Sequence, residues 1–125
     1  MQIAILGAGM VGRAMAIDLQ QKYSVTSFDV SEQSLDILSK KNKLIKTVKT
    51  DLSNFENYPT LLQNFDYVIC AVPGFMGYNA LQAIINAGKN VVDISFFPED
   101  ALALDNLAKQ KNVTAIVDCG VAPGM

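Results

Sequence analysis

Six short apolar runs, spaced by stretches long enough for helices, pace the whole of this chain. The runs fall at residues 3–6, 25–28, 44–48, 66–72, 91–94 and 115–118. Between them apolar residues recur at three- and four-residue spacing, the mark of a helix with one buried face. Met10, Ala14 and Ile17, with Val11, Met15 and Leu19, predict a helix over 10–22. Ser31 is placed to cap a second helix that carries Leu35 and Leu38 on one face. A third helix is expected over 78–87, with Leu81, Ile84 and Ile85 inward and Gly88 as its stop. A fourth runs from Pro98 and Glu99 to 111, with Leu102, Leu104 and Leu107 apolar. Residues 51–64 are the least regular; Pro59 is suited to open a short helix there, turning Leu61 and Leu62 inward.

Strands alternating with helices need right-handed crossovers, and these place helices on both faces of a parallel sheet. The near-continuous apolar strands match burial on both sides. The fold class predicted is therefore α/β, a Rossmann-type doubly wound sheet of six parallel strands in the order 3-2-1-4-5-6. A flavodoxin-like order is the alternative, disfavoured by the glycine pattern described next. At 125 residues the chain is one domain's worth, 1–125.

Composition removes several kinds of chemistry. There is no histidine, which excludes Ser-His-Asp and Cys-His catalysis and every zinc site built on imidazole. Ten basic residues against twelve acidic give a net charge of −2, so neither nucleic acid nor an anionic membrane is an expected partner. The first apolar run has no basic flank and breaks at Gly7, unlike a signal peptide. No apolar stretch approaches the roughly 20 residues that span a bilayer. Cys70 and Cys119 are too few and too far apart for a disulfide framework or a metal cluster. The expected compartment is the reducing cytoplasm.

Gly7-Ala8-Gly9-Met10-Val11-Gly12 fits G-x-G-x-x-G. The motif alone is weak. Here it follows a strand, opens a helix and sits in the first strand–helix–strand unit, the context that gives it meaning. Gly7 permits the tight turn, Gly9 lets a pyrophosphate approach the backbone, and Gly12 lets the helix lie close to the strand. The amides and dipole at the helix start then face the anion. Asp29 ends the second strand, 20 residues after Gly9, where a ribose-binding carboxylate is expected. It would repel a 2′-phosphate, and residues 30–34 hold no Lys or Arg to compensate. NAD is therefore expected over NADP. Asp29 is also suited to cap the turn that follows it. Asp51 follows the third strand, either near the adenine or as a plain Asx turn. Ala71-Val72-Pro73, after the fourth strand, should border the nicotinamide half of the cleft, or simply end the strand at Pro73.

The whole chain resembles the N-terminal half of the saccharopine dehydrogenase family, which includes saccharopine reductases and lysine 6-dehydrogenases. The resemblance rests on the glycine motif, on Ala71-Val72-Pro73, on Val92-Asp93-Ile94-Ser95, and above all on Asp118-Cys119-Gly120-Val121-Ala122-Pro123-Gly124. It implies oxidation of a C–N bond in an amino acid or amine, or the reverse imine reduction, with NAD or NADP carrying the hydride. It further implies a substrate domain beyond this segment, so 1–125 would be the cofactor domain of a longer enzyme and inactive alone. Asp118 and Cys119 are weak candidates for orienting substrate, against a turn-bonding Asp and a buried small filler. Tyr78 and Asn79 either reach the cofactor carboxamide or serve the helix start. Apolar surface is expected around Val121-Ala122-Pro123, compatible with a homo-oligomer. The alternative function is a non-catalytic module that senses NAD(H).

Overall fold

The computed structural model describes residues 1–94 and 105–117. Twelve elements are ordered along these residues: β1 (Gln2–Leu6), α1 (Met10–Leu19), β2 (Ser24–Asp29), α2 (Glu32–Lys41), β3 (Lys46–Lys49), a 3-10 turn (Phe55–Asn57), α3 (Tyr58–Leu61), β4 (Tyr67–Cys70), α4 (Gly74–Asn86), β5 (Asn90–Asp93), α5 (Asp105–Lys111) and β6 (Ala115–Val117). The six strands form one sheet in the order β3-β2-β1-β4-β5-β6, every pair parallel. That is the predicted doubly wound order.

Side chains of a strand alternate between faces, so each central strand feeds two cores. Ala4 and Leu6 of β1 join Phe28, Val68 and Cys70 on one face, covered by Leu81, Ile84 and Ile85 of α4 and by Tyr58 and Leu62. Ile3 and Ile5 join Val25 and Ile69 on the other, covered by Ala16 of α1 and Leu38 of α2. Each fully buried Leu or Ile stabilises this arrangement by about 1.5–3 kcal/mol relative to an exposed one. The edge strand β3 carries exposed Lys46 and Lys49, which discourages pairing with another sheet.

Several boundaries differ from the sequence expectation. Helix α1 ends at Leu19, not 22, because the chain turns at once into β2; the amide of Val25 donates to Oε1 of Gln20 at 3.0 Å. Strand β3 begins at Lys46, not 44, since Asn42 accepts from the Leu44 amide and makes a turn there. Strand β4 ends at Cys70, although the amide of Ala71 still donates to the Leu6 carbonyl at 2.8 Å. The largest shift is at α4, which starts at Gly74 rather than 78. Gly74 and Gly77 lower the intrinsic helix preference of that turn, yet burial of Gly77 and packing of Met76 on the core overrule it. Gly88 then adopts φ +77°, the left-handed stop expected.

The irregular crossover is well anchored. Pro59 stands in the first turn of α3 and Leu62 is fully buried, as expected. Tyr58 is buried as well, and its hydroxyl donates to the Leu52 carbonyl at 2.8 Å. Burial first, then the nearby Cys70 and Asp51, push this phenol well above the ordinary tyrosine range, so it stays protonated. Among the described residues no helix is long and apolar enough to cross a membrane. The expected helix start at Pro98 and Glu99, the stop at Gly120, and Ser95, Asp118, Cys119 and Val121-Ala122-Pro123 lie outside the described residues.

Candidate functional site

The turn between β1 and α1 shows why each glycine is there. Gly7 has φ +110°, and its amide donates to the Phe28 carbonyl at 2.7 Å. A Cβ on Gly7 would run into the carbonyl of Ala71. A Cβ on Gly12 would strike the carbonyl oxygen of Gly7, so this residue lets α1 lie against the strand end. Gly9 is different: φ is −71°, an ordinary value, and a Cβ there would meet no atom within 4 Å. Neither packing nor backbone strain asks for glycine at position 9. Gly9 is exposed and lines a cleft.

That cleft measures about 320 Å³. Its walls are Gly7, Gly9, Met10, Val11 and Gly12 from the first turn, Asp29 from β2, and Ala71, Val72 and Pro73 from the loop after β4. These are the residues that the sequence singled out, now brought together from three strand ends. Ala8 is buried behind them. Met10 and Val11 remain exposed at the mouth.

Asp29 is half-buried at the end of β2. Its Oδ2 accepts from the amide of Ala8 at 2.6 Å and its Oδ1 from the amide of Ser31 at 2.8 Å. The turn-capping role is therefore real, and it coexists with a place in the cleft wall. Each carboxylate oxygen accepts one amide, which leaves acceptor capacity for a further donor. Ser31 does the helix-capping work expected of it, accepting from the Ser34 amide at 3.2 Å.

Two helices begin at this cleft, α1 behind Gly9 and α4 behind Pro73. Neither has a side-chain cap, and neither carries an acidic residue in its first turn. Helix α2, which starts away from the glycine turn, has both, in Ser31 and Glu32. A helix start left in this condition presents orphan amides and about half a positive charge. The cleft thus suits an anion, with a carboxylate at one end to take hydroxyl donors. These groups could hold a dinucleotide, with Gly9 and the start of α1 available to a diphosphate and Asp29 to a ribose diol.

The other candidates fall elsewhere. Asp51 is exposed and outside the cleft wall; it accepts from both the amide and the hydroxyl of Ser53, which lower its pKa. The Asx-turn alternative describes it. Asn79 lines a separate groove with Phe55, Glu56 and Gln82. Tyr78 packs on the core and Cys70 is buried in it. Asp93 is fully buried at the end of β5. Two neighbours of the cleft escaped the sequence reading. Phe75, 79% exposed, stands two residues beyond Pro73 at the start of α4; an aromatic two residues after a strand-ending proline was the available signal. Lys49 lies opposite Asp29 in the β2–β3 register, and its ammonium is 3.7 Å from a Glu32 carboxylate oxygen.

Comparison with known proteins finds the same fold. The chain superposes on apo saccharopine dehydrogenase (L-Glu forming) of Saccharomyces cerevisiae with a TM-score of 0.83 at 21% identity, covering 98% of this chain and 28% of that one. The UDP-N-acetylglucosamine 3-dehydrogenase of Acidithiobacillus ferrooxidans matches at 0.75 and 16% identity, over 94% of this chain and 36% of that one. The scyllo-inositol dehydrogenase of Lactobacillus casei, solved with NAD(H) and scyllo-inositol, matches at 0.70 and 21%, over 93% and 35%. At such identities these likenesses speak for the fold, and this chain spans about a third of the length of each. The family model described as the saccharopine dehydrogenase NADP binding domain matches residues 3–116. With its parallel sheet, glycine turn and cleft, the chain belongs to this family of NAD(P)-binding domains of saccharopine dehydrogenase-like oxidoreductases.

Proposed function

We propose that this chain binds NAD(H) in preference to NADP(H), as the cofactor domain of an oxidoreductase acting on a C–N bond of an amino acid or amine. The observation that carries the cofactor choice is Asp29, a carboxylate in the cleft wall at the end of β2. It offers acceptors to the two ribose hydroxyls and opposes a 2′-phosphate. Residues 30–34 add Glu32 and no cation. The cation that β3 sets beside Asp29, Lys49, is shared with Glu32 in an exposed pair at 3.7 Å. The family's description names NADP, so this chain is read as a member whose β2 end has been set for the unphosphorylated ribose.

When bound, the nicotinamide ring supplies the hydride chemistry. The chain's own residues position it: amides at the start of α1 hold the diphosphate, and Ala71, Val72 and Pro73 border the ring side. The C–N substrate class rests on the family, and a further domain would supply the amine and carboxylate contacts. Asp118 and Cys119 are the residues proposed to meet that substrate from this side. The cytoplasm is the proposed compartment, from the sequence reading.

Calorimetric titration of the chain with NAD⁺ and NADP⁺ tests the cofactor choice. Charge-assisted hydrogen bonds are worth about 1.5–3 kcal/mol each, so NAD⁺ should bind at least about tenfold tighter. Equal or tighter NADP⁺ binding overturns the preference. Binding of neither overturns the cofactor reading.

A further inference from the structure

We propose that Asp29 is also a positioning residue, whose carboxylate holds the glycine turn in the shape that presents its amides to a diphosphate. This rests on the cofactor reading above and adds a second role to the same residue. A glycine reaches both signs of φ at little cost, so sterics alone do not fix the peptide between Gly7, at φ +110°, and Ala8. Something else must choose its orientation. The Ala8 amide donates to Asp29 Oδ2 at 2.6 Å, and Ala8 itself is fully buried. Flipping that peptide would leave a buried amide without its acceptor. The carboxylate is held from its other side by the Ser31 amide at 2.8 Å, and its backbone by β2, where the Thr50 amide donates to the Asp29 carbonyl at 2.8 Å. Asp29 thus ties the first turn to a rigid strand end, and the start of α1 inherits its direction from that turn.

The two roles of Asp29 have opposite consequences for an anion without a ribose. Through space, a carboxylate disfavours an anion nearby. Through the tie to Ala8, it favours one. Inorganic pyrophosphate, which has no diol, separates them. The probe is added to the 125-residue chain and to Asp29→Ala at constant ionic strength, following the backbone amide resonances of Gly9, Met10, Val11 and Gly12. Hydrogen exchange at the Ala8 amide is read in the same samples, and thermal melting monitors the fold.

The expected result is that Asp29→Ala binds pyrophosphate at least about tenfold more weakly, with faster exchange at Ala8 and unaltered protection in β1 and β2. Asp29→Asn guards against a variant that fails to fold. It keeps the volume and one acceptor oxygen, enough for one of the two amides, so the tie is shared between Ala8 and Ser31: exchange at Ala8 should quicken less than in Asp29→Ala, and pyrophosphate binding should fall in step with it, by about threefold where the oxygen divides evenly. Pyrophosphate binding unchanged or tightened in the variants overturns the proposal. If NAD⁺ is weakened in those same variants, Asp29 acts on the ribose alone and the cofactor reading survives. If the unmodified chain binds neither NAD⁺ nor pyrophosphate, the cofactor reading fails and this inference with it.

Discussion

Replacing Gly9 with alanine separates the glycine that serves a ligand from those that serve the fold. The new methyl meets no protein atom within 4 Å, and φ of −71° suits alanine, so neither strain nor overlap is introduced. Two small effects on stability oppose each other. Alanine restricts the unfolded chain, worth about 0.4–1 kcal/mol in favour of folding. Gly9 is also the N-cap of α1, where alanine is worse than glycine by a similar amount, about 0.5–1 kcal/mol. The sum is near zero, and the melting temperature should move by less than about 3 °C. Binding should respond quite differently. The methyl enters the cleft where the diphosphate must approach the backbone. Losing two charge-assisted hydrogen bonds at about 1.5 kcal/mol each lowers affinity for NAD⁺ by at least about a hundredfold. Gly12→Ala is the control, because its methyl would strike the Gly7 carbonyl; it should melt earlier, by the roughly 1–3 kcal/mol typical of overpacking. Calorimetry and thermal melting on both variants check this. If Gly9→Ala binds NAD⁺ within twofold of the original, or melts as early as Gly12→Ala, the assignment of the space beside Gly9 to a ligand is wrong.

Other outcomes follow from single residues. Tyr58→Phe removes the donor to the Leu52 carbonyl and should cost about 1–3 kcal/mol, read as a lower urea midpoint. Ser27→Ala should be neutral or stabilising by about 1 kcal/mol, since the buried Ser27 hydroxyl has no hydrogen-bond partner among the described residues; a clear loss of stability would reveal a partner. Asp51 should titrate below the ordinary aspartate range by NMR, and Ser53→Ala should move it back up, because the Ser53 hydroxyl is the main cause of the shift. Its folded pKa is depressed, so whatever stability it contributes is present above its unfolded value and lost as pH falls through the folded one. If, as proposed, a further domain carries the substrate contacts, the 125-residue chain mixed with NAD⁺ and lysine or saccharopine should give no sustained rise in reduced-nicotinamide absorbance.

The parts of this fold written in short-range pattern were legible; those that depend on distant strands were not. The glycine turn and Asp29 stand at fixed spacings from one another; the alternation of apolar runs with helices pointed to a parallel, doubly wound sheet, and the glycine pattern chose its order. Asp29's bond to Ala8 joins residues 21 apart that meet only because β2 lies beside β1. Lys49 comes beside Asp29 only through the β2–β3 register. Tyr58 lies in the stretch with least sequence regularity, and its burial depends on α4 and the sheet closing over it. The start of α4 was hidden because Gly74 and Gly77 argue locally against a helix that the core imposes.

The position of the cleft follows from the strand order itself. β1 and β4 are neighbours, yet their helices leave on opposite faces: α1 packs Ala16 on the core with Ile3 and Ile5, while α4 packs Leu81 and Ile84 on the core with Leu6 and Cys70. Two helices that part at adjacent strand ends must open a crevice between them, the place where α/β sheets bind ligands. Here both helix starts are uncapped. Gly7 and Gly12 keep the turn so close to Ala71 that a Cβ on Gly7 would strike the Ala71 carbonyl, while Gly9 leaves the space beside it clear. The polar groups of the crevice are therefore backbone groups of the turn and the Asp29 carboxylate, set among the apolar side chains of Met10, Val11, Val72 and Pro73. Under the function proposed above, amides at the helix starts hold the diphosphate and the Asp29 carboxylate takes the ribose diol. On the cofactor reading proposed above, NAD(H) and NADP(H) are told apart at the end of β2, so Asp29, Glu32 and Lys49 are the positions where a change of preference would be engineered.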